Sequence, residues 1–156
     1  AILDIARSLA SGAQTVEAIA QACFEWVRDE IHHSVDYQLN PVTCRASEVL
    51  QHKTGYCYAK SHLLAALLRA NHIPTGFCCQ RFWQNVWKVG FFGKLELEGQ
   101  LLIGWGKLSI NPFAIAAEAD FPDILPEPLT VVIELLQTQH TWDAVLRNLP
   151  DATAIA

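Results

Sequence analysis

The stretch HKTGYCYAKSHLLAALLRANHIP, residues 52–74, places Cys57 directly after a Gly-Tyr pair and just ahead of a long apolar helix. A thiol there has two readings. As a nucleophile it gains from the start of a helix, where unpaired N–H groups and the helix dipole favour a thiolate. A thiolate can attack the carbonyl carbon of an amide or ester. Gly55 would let the chain turn tightly and let a substrate approach the backbone. Tyr56 and Tyr58 flank the sulfur and either line a substrate cleft or cover the helix start. The other reading is structural, since a free cysteine is among the most buried residue types.

The segment that must carry Cys57 reads as a helix from about Cys57 to Asn71. On a wheel of about 100° per residue, Ser61, Leu64, Leu68 and Asn71 fall within roughly 40° of Cys57. Leu63, Ala66, Leu67 and Ala70 widen the apolar surface, leaving a narrow polar stripe of Tyr58, His62 and Arg69. A helix apolar nearly all round is a buried central helix. It ends at Asn71-His72, with Pro74 beyond.

Upstream, residues 15–33 read as a helix with Val16, Ile19, Ala20, Cys23, Val27 and Ile31 at helical spacing. Thr15 suits the cap and Glu17 the first turn. A loop follows over 34–46, broken by Asn40-Pro41, then a short helix from Glu48 to His52 capped by Ser47, then a Lys-Thr-Gly turn. Downstream of Pro74, TGFCCQRF, VWKVGFF, KLELE and QLLIGW read as strands separated by glycine. Glu96 and Glu98 alternate with Leu95 and Leu97, as on a half-exposed strand. From Pro112 the chain is irregular, with Pro122, Pro126 and Pro128. Helices close it at 129–137 and at 142–149, the latter capped by Thr141. There is no repeat and no linker, so residues 1–156 read as one α+β domain.

Composition narrows the function classes. Of 156 residues, 51% are hydrophobic and 17% charged, with a net charge of −5, which is a globular balance. No Lys/Arg run points to nucleic acid or an anionic membrane, and no apolar run is long enough to cross a bilayer. The five cysteines (Cys23, Cys44, Cys57, Cys78 and Cys79) are odd in number and include no CxxC pair. That disfavours a disulfide framework and a zinc site, and with no His/Cys/Asp ligand spacing either, no metal and no cofactor is expected. A reducing, cytoplasmic compartment is the simplest expectation. The sequence contains no Met, which reads as a processed, trimmed or cut N-terminus. Cys23 reads as core, Trp83, Trp87 and Trp105 as packing residues, and Cys78-Cys79 as alternating across a strand.

Three stretches, WVRDEIHHSVDY (26–37), NPVTCRASEVLQHKTGYCYAKSHLLAALLRANHIPTGFCCQR (40–81) and EADFPDILPEPLTVVIELLQTQHTWDAVLRNLPD (118–151), resemble the bacterial transglutaminase-like superfamily. These are relatives of papain-type cysteine proteases. The resemblance implies a papain-like core with a Cys-bearing helix packed on an antiparallel sheet. It implies that Cys57 matches the family's nucleophile. The implied chemistry is amide or ester hydrolysis, or acyl transfer to an amine, with a peptide, protein or small amide as substrate.

A thiol nucleophile of this kind works with a His that takes its proton and an acid that orients the His. In the family both come from strands after the Cys helix. Here no His lies between His72 and His140 and no Asp between Asp36 and Asp120. The stretch from Gln80 to Ile110 does not resemble the family, and reads as native sequence that lost the partners, a shifted reading frame or a replaced segment. The other imidazoles offer weak substitutes. His62 reads as a solvated surface residue, His52 as an exposed loop residue, and His32 and His33 as caps of the first helix, with Asp36 beside them. His72 reads as a helix cap, and His140 as a neighbour of Asp143. Two function classes therefore stand: a thiol enzyme of impaired activity, and a non-catalytic binding domain that kept the fold.

Overall fold

The computed structural model describes residues 1–82, 90–97, 100–104, 117–120 and 125–150. Helix α1 spans Ile2–Ala10 and α2 spans Val16–Glu30. A short strand β1, His32–His33, precedes α3 at Ala46–His52, strand β2 at Thr54–Gly55 and helix α4 at Cys57–Ala70. Strands β3 (Gly76–Phe82), β4 (Gly90–Leu97), β5 (Gln100–Gly104) and β6 (Ala117–Asp120) follow. Two helices complete the described chain, α5 at Thr130–Thr138 and α6 at Trp142–Arg147.

Helix α4 is the centre of the molecule. Its Ala59, Leu63 and Leu67 are completely enclosed, and Leu64, Ala65 and Leu68 nearly so. Helices α1, α2 and α3 and strand β4 all lie against it, which an all-round apolar sequence requires. The polar stripe expected along α4 is not solvated. Tyr58 is 1% exposed, and only Arg69 of its three residues is open to solvent. Arg69 turns back over the helix end. Its guanidinium donates to the Thr75 carbonyl at 2.9 Å and to the Pro126 carbonyl, and sits 5.6 Å from the Phe77 ring. At this end His72 adopts a left-handed φ of 61°, closing the helix as expected.

Helix α1 is not among the sequence expectations. Ile2, Ile5, Ala6 and Leu9 recur at i, i+3, i+4 and i+7, and that was the available signal. Asn71, at the end of α4, ties three helices together. Its side-chain amide donates to the Ala6 carbonyl at 3.0 Å and to the Leu67 carbonyl at 3.3 Å, and reaches Cys23 Sγ at 3.8 Å. Cys23 is fully buried, as expected of a core cysteine, and burial pushes its thiol pKa up.

Local chemistry sets the helix starts. Thr15 caps α2, accepting from the Ala18 amide at 3.2 Å. Helix α3 begins at Ala46, two residues earlier than a Ser47 cap allows. Glu48 caps it from within, accepting from the Cys44 and Arg45 amides at 3.0 Å each, and these bonds hold its carboxyl below the usual range. Thr141 precedes α6 but makes no side-chain cap bond. The Trp142 amide donates instead to Asn40 Oδ1 at 2.9 Å.

The sheet order is β5-β4-β3-β6, with β3 antiparallel to β4 and β6, and β4 antiparallel to β5. Strand β4 runs unbroken through Gly93, so the separate strands expected at VWKVGFF and KLELE share one element where described. Strand β6, of sequence AEAD, carries no β-type signal and was not anticipated. The Phe77 and Leu125 backbones exchange hydrogen bonds of 2.7 and 2.8 Å, bringing the chain back to the sheet before α5. A second sheet was not anticipated either. Strands β1 and β2 pair parallel, His32 with Thr54 and His33 with Gly55, so the pair that meets the start of α4 differs from the antiparallel arrangement expected. Among the sequence expectations, residues 86–89 of VWKVGFF, Trp83, Trp87, Glu98, Trp105, Pro112 and Pro122 lie outside the described residues. So do the side chains of Cys78, Cys79 and Glu96.

Truncating the enclosed Leu67 to Ala should cost about 2–5 kcal/mol of unfolding free energy. Leu3→Ala, at a position 45% exposed, should cost well under half of that. Urea unfolding of the two variants measures the contrast.

Candidate functional site

Cys57 is the first residue of α4, with Tyr56 as the N-cap, and its side chain is half-buried with the thiol free of any disulfide. The Tyr56 carbonyl accepts the first helical bond, from the Lys60 amide at 2.8 Å. The Ser61 hydroxyl donates to the Cys57 carbonyl at 2.8 Å. The sulfur therefore stands at the positive end of a rigid, enclosed helix.

What fixes that end is a buried polar seam. The Ser34 and Thr54 hydroxyls lie 3.3 Å apart, and Thr54 Oγ1 donates to the His32 carbonyl at 3.3 Å. Thr43 Oγ1 donates to the Thr54 carbonyl at 2.9 Å, and the Ser34 amide to the Gly55 carbonyl at 3.1 Å. Ser34, Thr43 and Thr54 are all buried, and buried hydroxyls are stable only when bonded in this way. Gly55 sits inside the seam. A Cβ there would meet Thr43 Oγ1 at 3.1 Å and Ala59 Cβ at 3.2 Å. Its requirement for glycine is one of space. The left-handed turn before it falls on Lys53, at φ 54°.

Tyr56 and Tyr58 are each 1% exposed. The Tyr56 hydroxyl donates to the Trp142 carbonyl, which links the residue before the cysteine to α6. Burial pushes its phenol pKa up strongly, with the Cys57 charge acting in the same direction.

Lys60 is not among the sequence expectations. It is 5% exposed, and its ammonium donates to the Ile31 carbonyl at 2.6 Å and to the Arg28 carbonyl at 3.5 Å. It thus caps the C-terminal end of α2, where carbonyls lack helical partners. Burial lowers its pKa from 10.5 to about 8, and the charges of Cys57, Asp36 and Asp29 offset part of that fall. The only sequence signal was a lysine whose helical neighbours, Cys57, Leu63 and Leu64, are apolar.

The imidazoles are not where the sequence reading puts them. His62 is half-buried rather than solvated. Its Nδ1 lies 2.7 Å from the Cys44 carbonyl and its ring packs edge-on against Phe77 at 5.6 Å. The reason is that α4 is covered on this side too, by Cys44 and by Phe77 of β3. His32 and His33 do not cap a helix, because α2 ends at Glu30 and both belong to β1. His33 packs edge-on against Tyr56 at 5.7 Å, and its buried Nδ1 faces Asp36 at 3.6 Å, beyond hydrogen-bond length. Burial lowers the pKa of both His33 and His62. His52 and His140 are exposed, and Asp143 pairs with Arg147 at 2.8 Å rather than with His140. Cys44 is buried, and burial raises its thiol pKa. Among the described residues no group of three or more His, Cys, Asp or Glu could hold a metal ion. Nor is any helix of them long and apolar enough to cross a membrane.

The arrangement offers a half-buried thiol at a fixed helix start, with a buried ammonium one turn along and, behind its N-cap, a half-buried imidazole whose Nδ1 is enclosed. A family model described as the transglutaminase-like superfamily matches residues 3–107. The match includes α1, which the sequence reading missed. It also runs through most of the stretch Gln80 to Ile110, contrary to the expectation that this stretch is unlike the family, and it does not reach residues 118–151. No curated protein and no solved structure matches the chain.

Two pH responses follow. Because folding depresses the pKa of His33 and His62, the unfolded chain binds more protons below about 6.5, the ordinary value. Stability should therefore fall as pH drops through that value, and His62→Gln should lessen the fall in melting temperature. For Lys60 the unfolded chain binds the extra proton between about 8 and 10.5. Relative to Lys60→Met, the wild type should gain up to about 3 kcal/mol across that window. Paired denaturation curves at pH 7.5 and 10.5 measure the difference.

Proposed function

Since the chain belongs to the transglutaminase-like superfamily, we propose that it works as a single domain in which Cys57 captures an acyl group. The substrate class is a peptide, protein or small amide or ester. The sulfur bonds to the carbonyl carbon, and the amine or alcohol leaves with a proton from water. Water or an amine then resolves the thioester. The observation that carries this reading is the placement of Cys57. It is half-buried, at the first position of the enclosed helix α4, and inside the matched segment. That end of a helix favours a thiolate.

Gly55, Tyr56 and Tyr58 serve the cleft in this reading as its support. Gly55 lets β2 pack against Ala59 and Thr43, and the two buried tyrosines fix the helix start. The larger core of the reading is a papain-like one, α4 against the antiparallel sheet through β4. A second reading, a binding domain that kept the fold, is favoured by the lack of any His between His72 and His140 and any Asp between Asp36 and Asp120.

Acyl capture separates the two. Incubation with an activated aryl ester, followed by peptide mass mapping, should find a thioester on Cys57 and none in Cys57→Ala. Cys23 and Cys44, with raised pKa values, should stay unmodified in the folded protein. A Cys57 that takes no acyl group in a folded sample would leave the binding reading standing.

A further inference from the structure

Lys60 follows Cys57 by three positions on α4, a spacing that puts two side chains on neighbouring sites of one helix face. Its ammonium is carried into the interior and fixed there, at 2.6 Å from the Ile31 carbonyl. The charged groups that act on it come from each neighbouring element. Cys57 stands on its own helix, Asp29 at the end of α2 and Asp36 in the loop after β1. His33 on β1 is in turn disfavoured as a cation by Lys60. Asp29 and Asp36 are well exposed, at 57% and 64%, so water screens them. Cys57, half-buried and on the same helix, is the least screened of the three.

We propose that Lys60 is a positioning residue for Cys57, an ammonium anchored on the end of α2 that holds the neighbouring sulfur as a thiolate. The thiol proton goes to bulk water and Lys60 keeps its own. A fixed cation thereby does part of what a proton-accepting imidazole does in a thiol–imidazole pair. The coupling is reciprocal. A thiolate that favours the charged lysine is favoured by it to the same degree. Because Lys60 loses its proton near pH 8, its support for the thiolate weakens as pH rises through that value. The proposal rests on the reading of Cys57 as the nucleophile.

The test is the pH dependence of iodoacetamide alkylation at Cys57, followed by peptide mass, in wild type, Lys60→Met and Lys60→Arg, with circular dichroism to establish folding. The wild type should reach half-maximal rate at a lower pH than Lys60→Met, and at pH 7 should react about tenfold faster, the equivalent of one unit of thiol pKa. Lys60→Arg should restore the low value. A second measurement does not depend on the lysine variants folding. The Lys60 side-chain NMR titration in Cys57→Ser should move to lower pH than in wild type. Identical Cys57 profiles in folded wild type and Lys60→Met, or an unmoved Lys60 titration in Cys57→Ser, would overturn the proposal. A low Cys57 pKa that persists in Lys60→Met sinks the role of the lysine alone. A Lys60-dependent thiol that takes no acyl group sinks the nucleophile reading alone.

Discussion

Lys60 brings an ammonium into a nearly closed interior, and the bond of 2.6 Å to the Ile31 carbonyl is what makes that burial tolerable. An unpaired charge at such a depth would cost several kcal/mol. The carbonyls at the end of α2 need donors, and the lysine needs acceptors, so each solves the other's problem. The bond also fixes where α2 stops relative to where α4 starts. Residues 32–34 leave α2 directly into the seam with Thr54, so the register of β1 against β2 follows from the same contact. Cys57 inherits its place from all three.

A second consequence concerns rigidity. Thiol chemistry gains from a nucleophile held in one orientation. The start of α4 is held by β2 behind it, by Tyr56 bonded to α6, and by Gly55 packed without spare room. None of these contacts uses a flexible surface side chain. The precision of the helix start comes from main-chain pairing and from bonds made by small hydroxyl side chains, which have few rotamers to lose.

Much of the helical part was legible in the sequence. The apolar wheel of α4 and the Thr15 cap of α2 are local signals, and the structure keeps both. The pattern at Ile2, Ile5, Ala6 and Leu9 was equally local and was passed over. What local pattern could not carry was the environment of polar residues. His62 looks solvated on a wheel, but whether a polar face meets water depends on which distant segments cover it, here Cys44 and Phe77. Lys60 was hidden for the same reason, since its partners are carbonyls from a segment some thirty positions upstream. The parallel pairing of β1 with β2 joins two-residue strands too short to leave a periodic trace. The place of Cys57 at the start of α4 was legible from the turn before it and the apolar helix after it.

The link from Asn40 to Trp142 spans 102 positions of chain, and that from Tyr56 to Trp142 spans 86. During synthesis the ribosome delivers Cys57 and its helix well before Trp142, at roughly 5–20 residues per second. For several seconds the nascent chain holds its helices and its thiol without the clasp from α6. The start of α4 is therefore assembled in two acts, and the cysteine has its finished setting only once α6 has docked.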